Sequence, residues 1–123
     1  MGSTSTSAVK RPSFAEFNGG KEPKTFIFED EQCVVFDEQR HKQAPVHFLV
    51  VPKKTIPSLI ETTENDELLL GHLLIIARRI AKKKGIDKKG YRVVMNEGPH
   101  SCQDVKQFYV QILGGRQMWW PFS

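Results

Sequence analysis

The clearest pattern along the chain is a period of two in KQFYVQIL (106–113), where Phe108, Val110 and Ile112 alternate with Gln107, Tyr109 and Gln111. Such alternation predicts a strand over VKQFYVQIL (105–113) with one apolar and one hydrogen-bonding face. FIFED (26–30) and CVVFD (33–37) read as two short strands joined by a tight acidic turn, and YRVVM (91–95) as another strand. HFLVVP (47–52) is almost wholly apolar, as expected of a strand buried on both faces, and it stops at Pro52. EQRHKQAP (38–45) and NEGPHSCQD (96–104) are polar, turn-rich loops. Residues 1–13 form a Ser/Thr-rich segment with no apolar periodicity, expected to be a disordered tail ahead of one domain over 14–123. At the start of that domain, Phe14 and Phe17 predict one helical turn closed by Gly19-Gly20.

A single long helix is expected between the strands. Thr63 is a good N-cap, Glu64, Asp66 and Glu67 place negative charge in the first turn, and Gly85 suits the position just past the end. Leu69, Leu73, Ile76 and Ile80 form one apolar stripe, with Leu70, Leu74, Ala77 and Ala81 beside it and Leu68 and Ile75 widening it further. A helix packed only on its own sheet needs a stripe about 100° wide. The excess points to a second body, for which a partner subunit contacting Leu69, Leu73 and Ile76 is the economical candidate. Strands, one long helix and strands again argue for an α+β fold with a mostly antiparallel sheet of five strands.

Length and composition narrow the function. A chain of 123 residues suits one domain, and no apolar run approaches a membrane span. MGSTSTSAVKR lacks the apolar segment of a secretory signal, although Gly2 and Thr6 fit the loose myristoylation pattern. Cys33 and Cys102 are too few for a disulfide scaffold, so reduced thiols in the cytoplasm or nucleus are expected. The net charge of +4 is concentrated in KKKGIDKKGYR (82–92). That run could meet phosphates, but its first lysines fall where a helix C-terminus favours cations, so nucleic acid is not the expected partner. His41, His47, His72 and His100 have no zinc-type spacing, even with Cys102, so neither metal nor cofactor is expected. Cys33 reads as a small buried hydrophobe and His72 as a hydrogen-bonded interface histidine.

QAPVHFLVVPKK (43–54), LLGHL (69–73), GYRVVMNEG (90–98) and ILGGRQMWWP (112–121) closely resemble the histidine triad nucleotide-binding proteins, the HINT branch of the HIT superfamily. The resemblance runs from about Phe26 to Pro121 and implies a homodimer, in which the long helix and C-terminal segment join two five-stranded sheets into one of ten strands. Arg116, Met118 and Trp120 would then reach across to the partner. Members hydrolyse purine nucleoside phosphoramidates with histidines at alternate positions of the last strand, a spacing that puts three imidazoles on one face. One attacks phosphorus while the others orient it and handle protons near neutral pH.

The resemblance carries those three positions onto Gln107, Tyr109 and Gln111. Glutamine exchanges no proton near neutral pH, and Tyr109, with an ordinary pKa of about 10, has no neighbouring base to activate it. The phosphate approach, small and hydroxylated in the family, reads Ser101, Cys102, Gln103 and Asp104 here. A carboxylate roughly 4 Å from a phosphate costs on the order of 4 kcal/mol at an effective dielectric near 20, about a thousandfold in affinity. Phe36 matches a base-packing residue, Asp37 or Glu38 the ribose-binding aspartate, Asn96 the asparagine of the NEG motif and His47 a supporting histidine. Gln103 completes this remnant of a nucleotide site. The implied function is a catalytically inactive family member that dimerises, including with an active HINT paralogue. The alternative is a residual purine nucleoside-binding module.

Overall fold

Val and Ile favour extended backbone, and a run apolar at successive positions can be buried only as a strand covered on both faces. The centre of the fold is such a strand. The structure, a computed structural model, describes residues 25–101 and 106–119. Its elements are β1 (Phe28–Glu29), β2 (Cys33–Asp37), β3 (Val46–Pro52), α1 (Glu67–Lys83), β4 (Tyr91–Val94) and β5 (Val110–Gly114). Short 3-10 turns occupy Leu59–Glu61, Glu64–Asp66 and Pro99–Ser101. The strands make one five-stranded antiparallel sheet in the order β1-β2-β3-β5-β4, as expected, with β3 paired on both sides. The tail and the helical turn expected at Phe14–Phe17 lie outside the described residues.

One face of the sheet, with Val35, Phe48, Val50, Val110 and Ile112, packs on Leu73, Ile76, Ala77, Ile80 and Ala81 of α1. The other face carries a smaller cluster of Val34, Phe36, Leu49 and Val51, against which Phe26 and Tyr109 pack. Leu73 and Ile76 are 0% exposed within the single chain, which corrects their expected place at a subunit interface. A side chain with no accessible surface has none to give a partner. Leu69 is half-buried, and the outward apolar surface of α1 is instead Leu68, Leu74 and Ile75.

The ends of α1 follow from short-range chemistry. Thr63 Oγ1 accepts from the Asn65 N–H at 3.2 Å, and the Thr63 N–H donates to Asp66 Oδ2 at 3.0 Å, a reciprocal cap on a 3-10 turn that leads into the helix. Asp66 also pairs with Lys54, which together with the Thr63 N–H holds its carboxyl below the usual range. At the other end Gly85, at φ +77°, lets the Ile86 N–H reach the Ala81 carbonyl at 3.1 Å and its own N–H reach that of Lys82 at 3.0 Å.

Two boundaries differ from expectation. The last strand begins at Val110 rather than Val105: its ladder with β3 stops at the pair of Val50 and Val110, and the chain before it leaves the sheet toward the loop that follows β3. The Phe108 N–H donates instead to the Ile56 carbonyl at 2.6 Å. FIFED contributes only Phe28 and Glu29 to the sheet, because Asp30 already closes the turn, its N–H on the Cys33 carbonyl at 3.0 Å.

Gly114-Gly115 permits the sharp exit from β5, with Gly115 at φ +91°. At Gly114 the need is space: an added Cβ would stand 2.8 Å from Ile86 Cδ1 and 3.3 Å from the Cβ atoms of Ile86 and Tyr91. Gly114→Ala is therefore expected to destabilise the chain by about 1–3 kcal/mol through overpacking, read as a lower urea midpoint at unchanged slope. An unshifted midpoint would mean that Ile86 and Tyr91 give way freely.

Candidate functional site

The face opposite α1 is set by register. Phe36, Leu49, Gln111 and Val94 stand in one row across β2, β3, β5 and β4. Tyr109 is half-buried against the apolar cluster on this face, so the structure brings Tyr109 and Gln111 together as the spacing implied. Gln107 departs from the pattern. It lies in the irregular approach to β5, 1% exposed, with Nε2 donating to the Phe108 carbonyl at 3.0 Å. An amide so enclosed is structural.

His47 fixes the orientation of Gln111. The Gln43 N–H donates to His47 Nδ1 at 3.0 Å, so Nδ1 is the acceptor and the ring proton resides on Nε2. Nε2–H therefore donates to Gln111 Oε1 at 2.8 Å. His47 is buried, and its bond turns the amide so that the NH₂ end of Gln111 points away from the histidine. A donor amide, a phenol and a buried imidazole committed to two hydrogen bonds can bind polar groups.

The residues matched to a nucleoside site are less accessible than the sequence implied. Phe36 is 2% exposed and stacks on Phe26 at 6.1 Å between ring centroids, so it offers no open surface to a base. Asp37 and Glu38 turn to different partners. Asp37 turns to the end of α1, where Lys84 Nζ donates to Oδ1 at 2.7 Å. Glu38 caps the following loop, its Oε2 accepting from the N–H groups of Arg40 at 3.1 Å and His41 at 3.0 Å. Both acids line a cavity of about 320 Å³ with Lys42, His47 and Lys84. Asn96 is half-buried in the loop after β4, whereas Cys102, Gln103 and Asp104 lie outside the described residues.

The C-terminal segment is tied to its own chain. Arg116 donates to the Gln43 carbonyl at 2.9 Å, and Arg92 to the Trp119 carbonyl at 2.7 Å. Met118 is half-buried, Trp119 is 72% exposed and Trp120 lies outside the described residues.

Sequence reasoning missed two features. Glu97 of the NEG motif accepts from the Leu59 N–H at 2.7 Å, tying the loop after β4 to the one before α1. Asp30, Cys33 and His72 converge on the helix side of the sheet, with His72 Nε2 at 2.7 Å from Asp30 Oδ2, so the partner of His72 is within its own chain. Spacing rules failed because two residues come from a hairpin and one from a helix; the paired Asp30 and Cys33 three apart were the available signal. Burial, then the charge of Asp30, pushes the Cys33 thiol up to about 12. Burial also works to raise Asp30, but hydrogen bonds from the Gln32 N–H, His72 and the Cys33 N–H outweigh it and leave its carboxyl below the usual range.

Comparison with known proteins matches a family model described as the HIT domain to residues 20–118. An uncharacterized HIT-like protein of Synechococcus elongatus is 42% identical over 99 residues, spanning 80% of this chain and 85% of the relative. A 14 kDa zinc-binding protein of Zea mays is 43% identical over 101 residues, 80% of this chain and 77% of the relative. Among solved structures, a HIT family hydrolase from Legionella pneumophila superposes with a TM-score of 0.79 at 37% identity, covering 87% of this chain and 94% of that one. A histidine triad protein from Clostridium difficile gives 0.76 at 36% identity, covering 85% and 89%.

The contact between His47 and Gln111 can be tested alone. His47→Leu strands the Gln43 N–H and the Gln111 carbonyl and is expected to cost about 1–3 kcal/mol for each group left unpaired. With Gln111→Leu in a double-mutant cycle, a coupling of about 0.5–3 kcal/mol is expected from denaturant unfolding. Strictly additive costs would mean that the contact contributes nothing.

Proposed function

The chain belongs to the HIT domain family, and from that premise we propose that it is a catalytically inactive member acting through pairing with other HIT-fold chains, including an active HINT paralogue. The observation that carries this reading is the filling of the triad positions by Gln107, Tyr109 and Gln111, with Gln111 held by His47 and Gln107 enclosed. None of the three supplies an imidazole to attack phosphorus or to shuttle a proton. The loss of the triad is also why the chain is similar to the avian W-chromosome-linked variant of the HINT branch. A cytoplasmic or nuclear setting fits the reduced thiols expected of Cys33 and Cys102.

Support for pairing comes from surface that the protomer leaves uncovered. Among the described residues, Leu68, Leu74 and Ile75 face outward on α1, and β4 ends the sheet with a ladder partner on one side only, its Val93 and the following Met95 exposed. An edge strand beside apolar side chains can add a second sheet. Trp119 is exposed next to that edge, bonded through its carbonyl to Arg92 of β4. In a mixed dimer, Arg116, Met118 and Trp120 would approach the active partner's site and alter its turnover.

Co-expression with an active HINT paralogue should give a substantial heterodimer peak in native mass spectra. The purified mixed dimer should carry at most about half the phosphoramidase turnover of the active homodimer, since one site in two lacks the nucleophile. Homodimers alone, with no exchange, would remove the regulatory reading. Calorimetry with adenosine and AMP addresses the residual nucleoside module. Neither should bind tightly while Phe36 is closed, and any binding should favour adenosine, because Asp104 opposes phosphate. AMP binding equal to or tighter than that of adenosine would contradict the electrostatic argument from Asp104.

A further inference from the structure

We propose that Asp30, Cys33 and His72 form a binding site for one divalent transition-metal ion of the zinc class, which clamps α1 to the hairpin of β1 and β2. The donor atoms of the three side chains lie within 4.8 Å of one another. Tetrahedral ligands at about 2.0–2.3 Å from zinc stand roughly 3.3–3.7 Å apart. The contact of 2.7 Å between His72 Nε2 and Asp30 Oδ2 therefore has to open by about 0.6–1.0 Å, and the widest pair, at no more than 4.8 Å, has to close by at most about 1.5 Å. The donor set is sulfur, nitrogen and oxygen, the mixture that borderline-soft zinc and cobalt accept and that calcium and magnesium do not.

The surroundings hold the ligands in place. Asp30 Oδ1 accepts the N–H groups of Gln32 and Cys33, both at 2.8 Å, which fixes the carboxylate with Oδ2 turned to His72. Backbone donors of this kind are the support that first-sphere carboxylates generally require. Cys33 is fully buried in the helix-side core, whereas the side chains of His72 and Asp30 are 26% and 29% exposed. The ion would enter from the solvent side, meet carboxylate and imidazole first, and keep water in its fourth position. Bonds to Sγ and Nε2 form as the thiol proton leaves to solvent and the single proton of the neutral imidazole moves from Nε2 to Nδ1. One thiolate and one carboxylate balance the dication, so the buried end of the site carries no net charge. Without the ion, the protonated sulfur is an inert core atom, in keeping with its raised pKa of about 12. The cluster stands on the face of the sheet opposite Tyr109 and Gln111, and is independent of the proposed loss of catalysis.

Cobalt(II) titration of the full chain tests the site. One equivalent should produce a thiolate-to-cobalt charge-transfer band in the near ultraviolet, in the unmodified chain and in Cys102→Ser, and zinc should displace it. Cys33→Ala should abolish the band. His72→Ala and Asp30→Asn leave the buried cysteine in place, and each should weaken binding at least roughly tenfold. Zinc should raise the melting temperature of the unmodified chain but not of His72→Ala. A band that survives in Cys33→Ala, depends on Cys102 or never appears would overturn the assignment. So would unchanged affinity in both His72→Ala and Asp30→Asn.

Discussion

Everything in this structure hangs on the double burial of β3. Phe48 and Val50 face α1, Leu49 and Val51 face the opposite cluster, and both edges of the strand are hydrogen-bonded, to β2 and to β5. Because side chains alternate strictly, a slip of one residue would exchange the two faces of every neighbouring strand. The register of β3 therefore decides that Cys33 enters the helix-side core, that Phe36 joins the other cluster and that Gln111 stands beside Leu49. The ladder of β3 with β5 ends at the pair of Val50 and Val110, and the Phe108 N–H then donates to the Ile56 carbonyl instead of to β3.

Around that strand the polar contacts divide into two kinds. Some fix the backbone: Asp30 and Glu38 cap turns, Thr63 and Asp66 start the helix, and Glu97 ties two loops together. Others are long-range and orient single side chains, as His47 does for Gln111 and Lys84 for Asp37. The bond between His47 and Gln111 holds the amide in one orientation on the face opposite α1. A glutamine at that position accepts the hydrogen bond of a buried histidine and leaves the surrounding apolar cluster intact.

How much of this could be read in the chain varied with the range of the interaction responsible. CVVFD, the end of the helix at Gly85 and the cap at Thr63 were legible because neighbours within a few residues determine them. The boundaries of the last strand were not, because they depend on where its ladder with β3 stops. Leu73 and Ile76 were assigned to a partner because a wide apolar stripe says how much surface must be covered but not by what. Phe36 matched a base-packing position by its motif, yet its burial depends on Phe26 of an adjacent segment. The convergence of Asp30, Cys33 and His72 required the helix to lie over the hairpin, which no local pattern encodes.

The sheet also acts as a partition. Side chains that faced the chemistry of the family lie on one side, with Tyr109 and Gln111, whereas α1 and its outward Leu68, Leu74 and Ile75 lie on the other. A substitution on the first side touches none of the contacts that hold the helix to the sheet, and full burial of each outward leucine or isoleucine is worth about 1.5–3 kcal/mol whatever occupies the triad positions. On the proposed reading, Gln or Tyr at the triad positions would therefore remove catalysis at little cost to folding or to association through the helix. Loss of the same residues from a fold whose active site lay within its pairing surface would disable both at once. On that reading, this separation would let a HIT-fold chain without its histidines remain a competent partner.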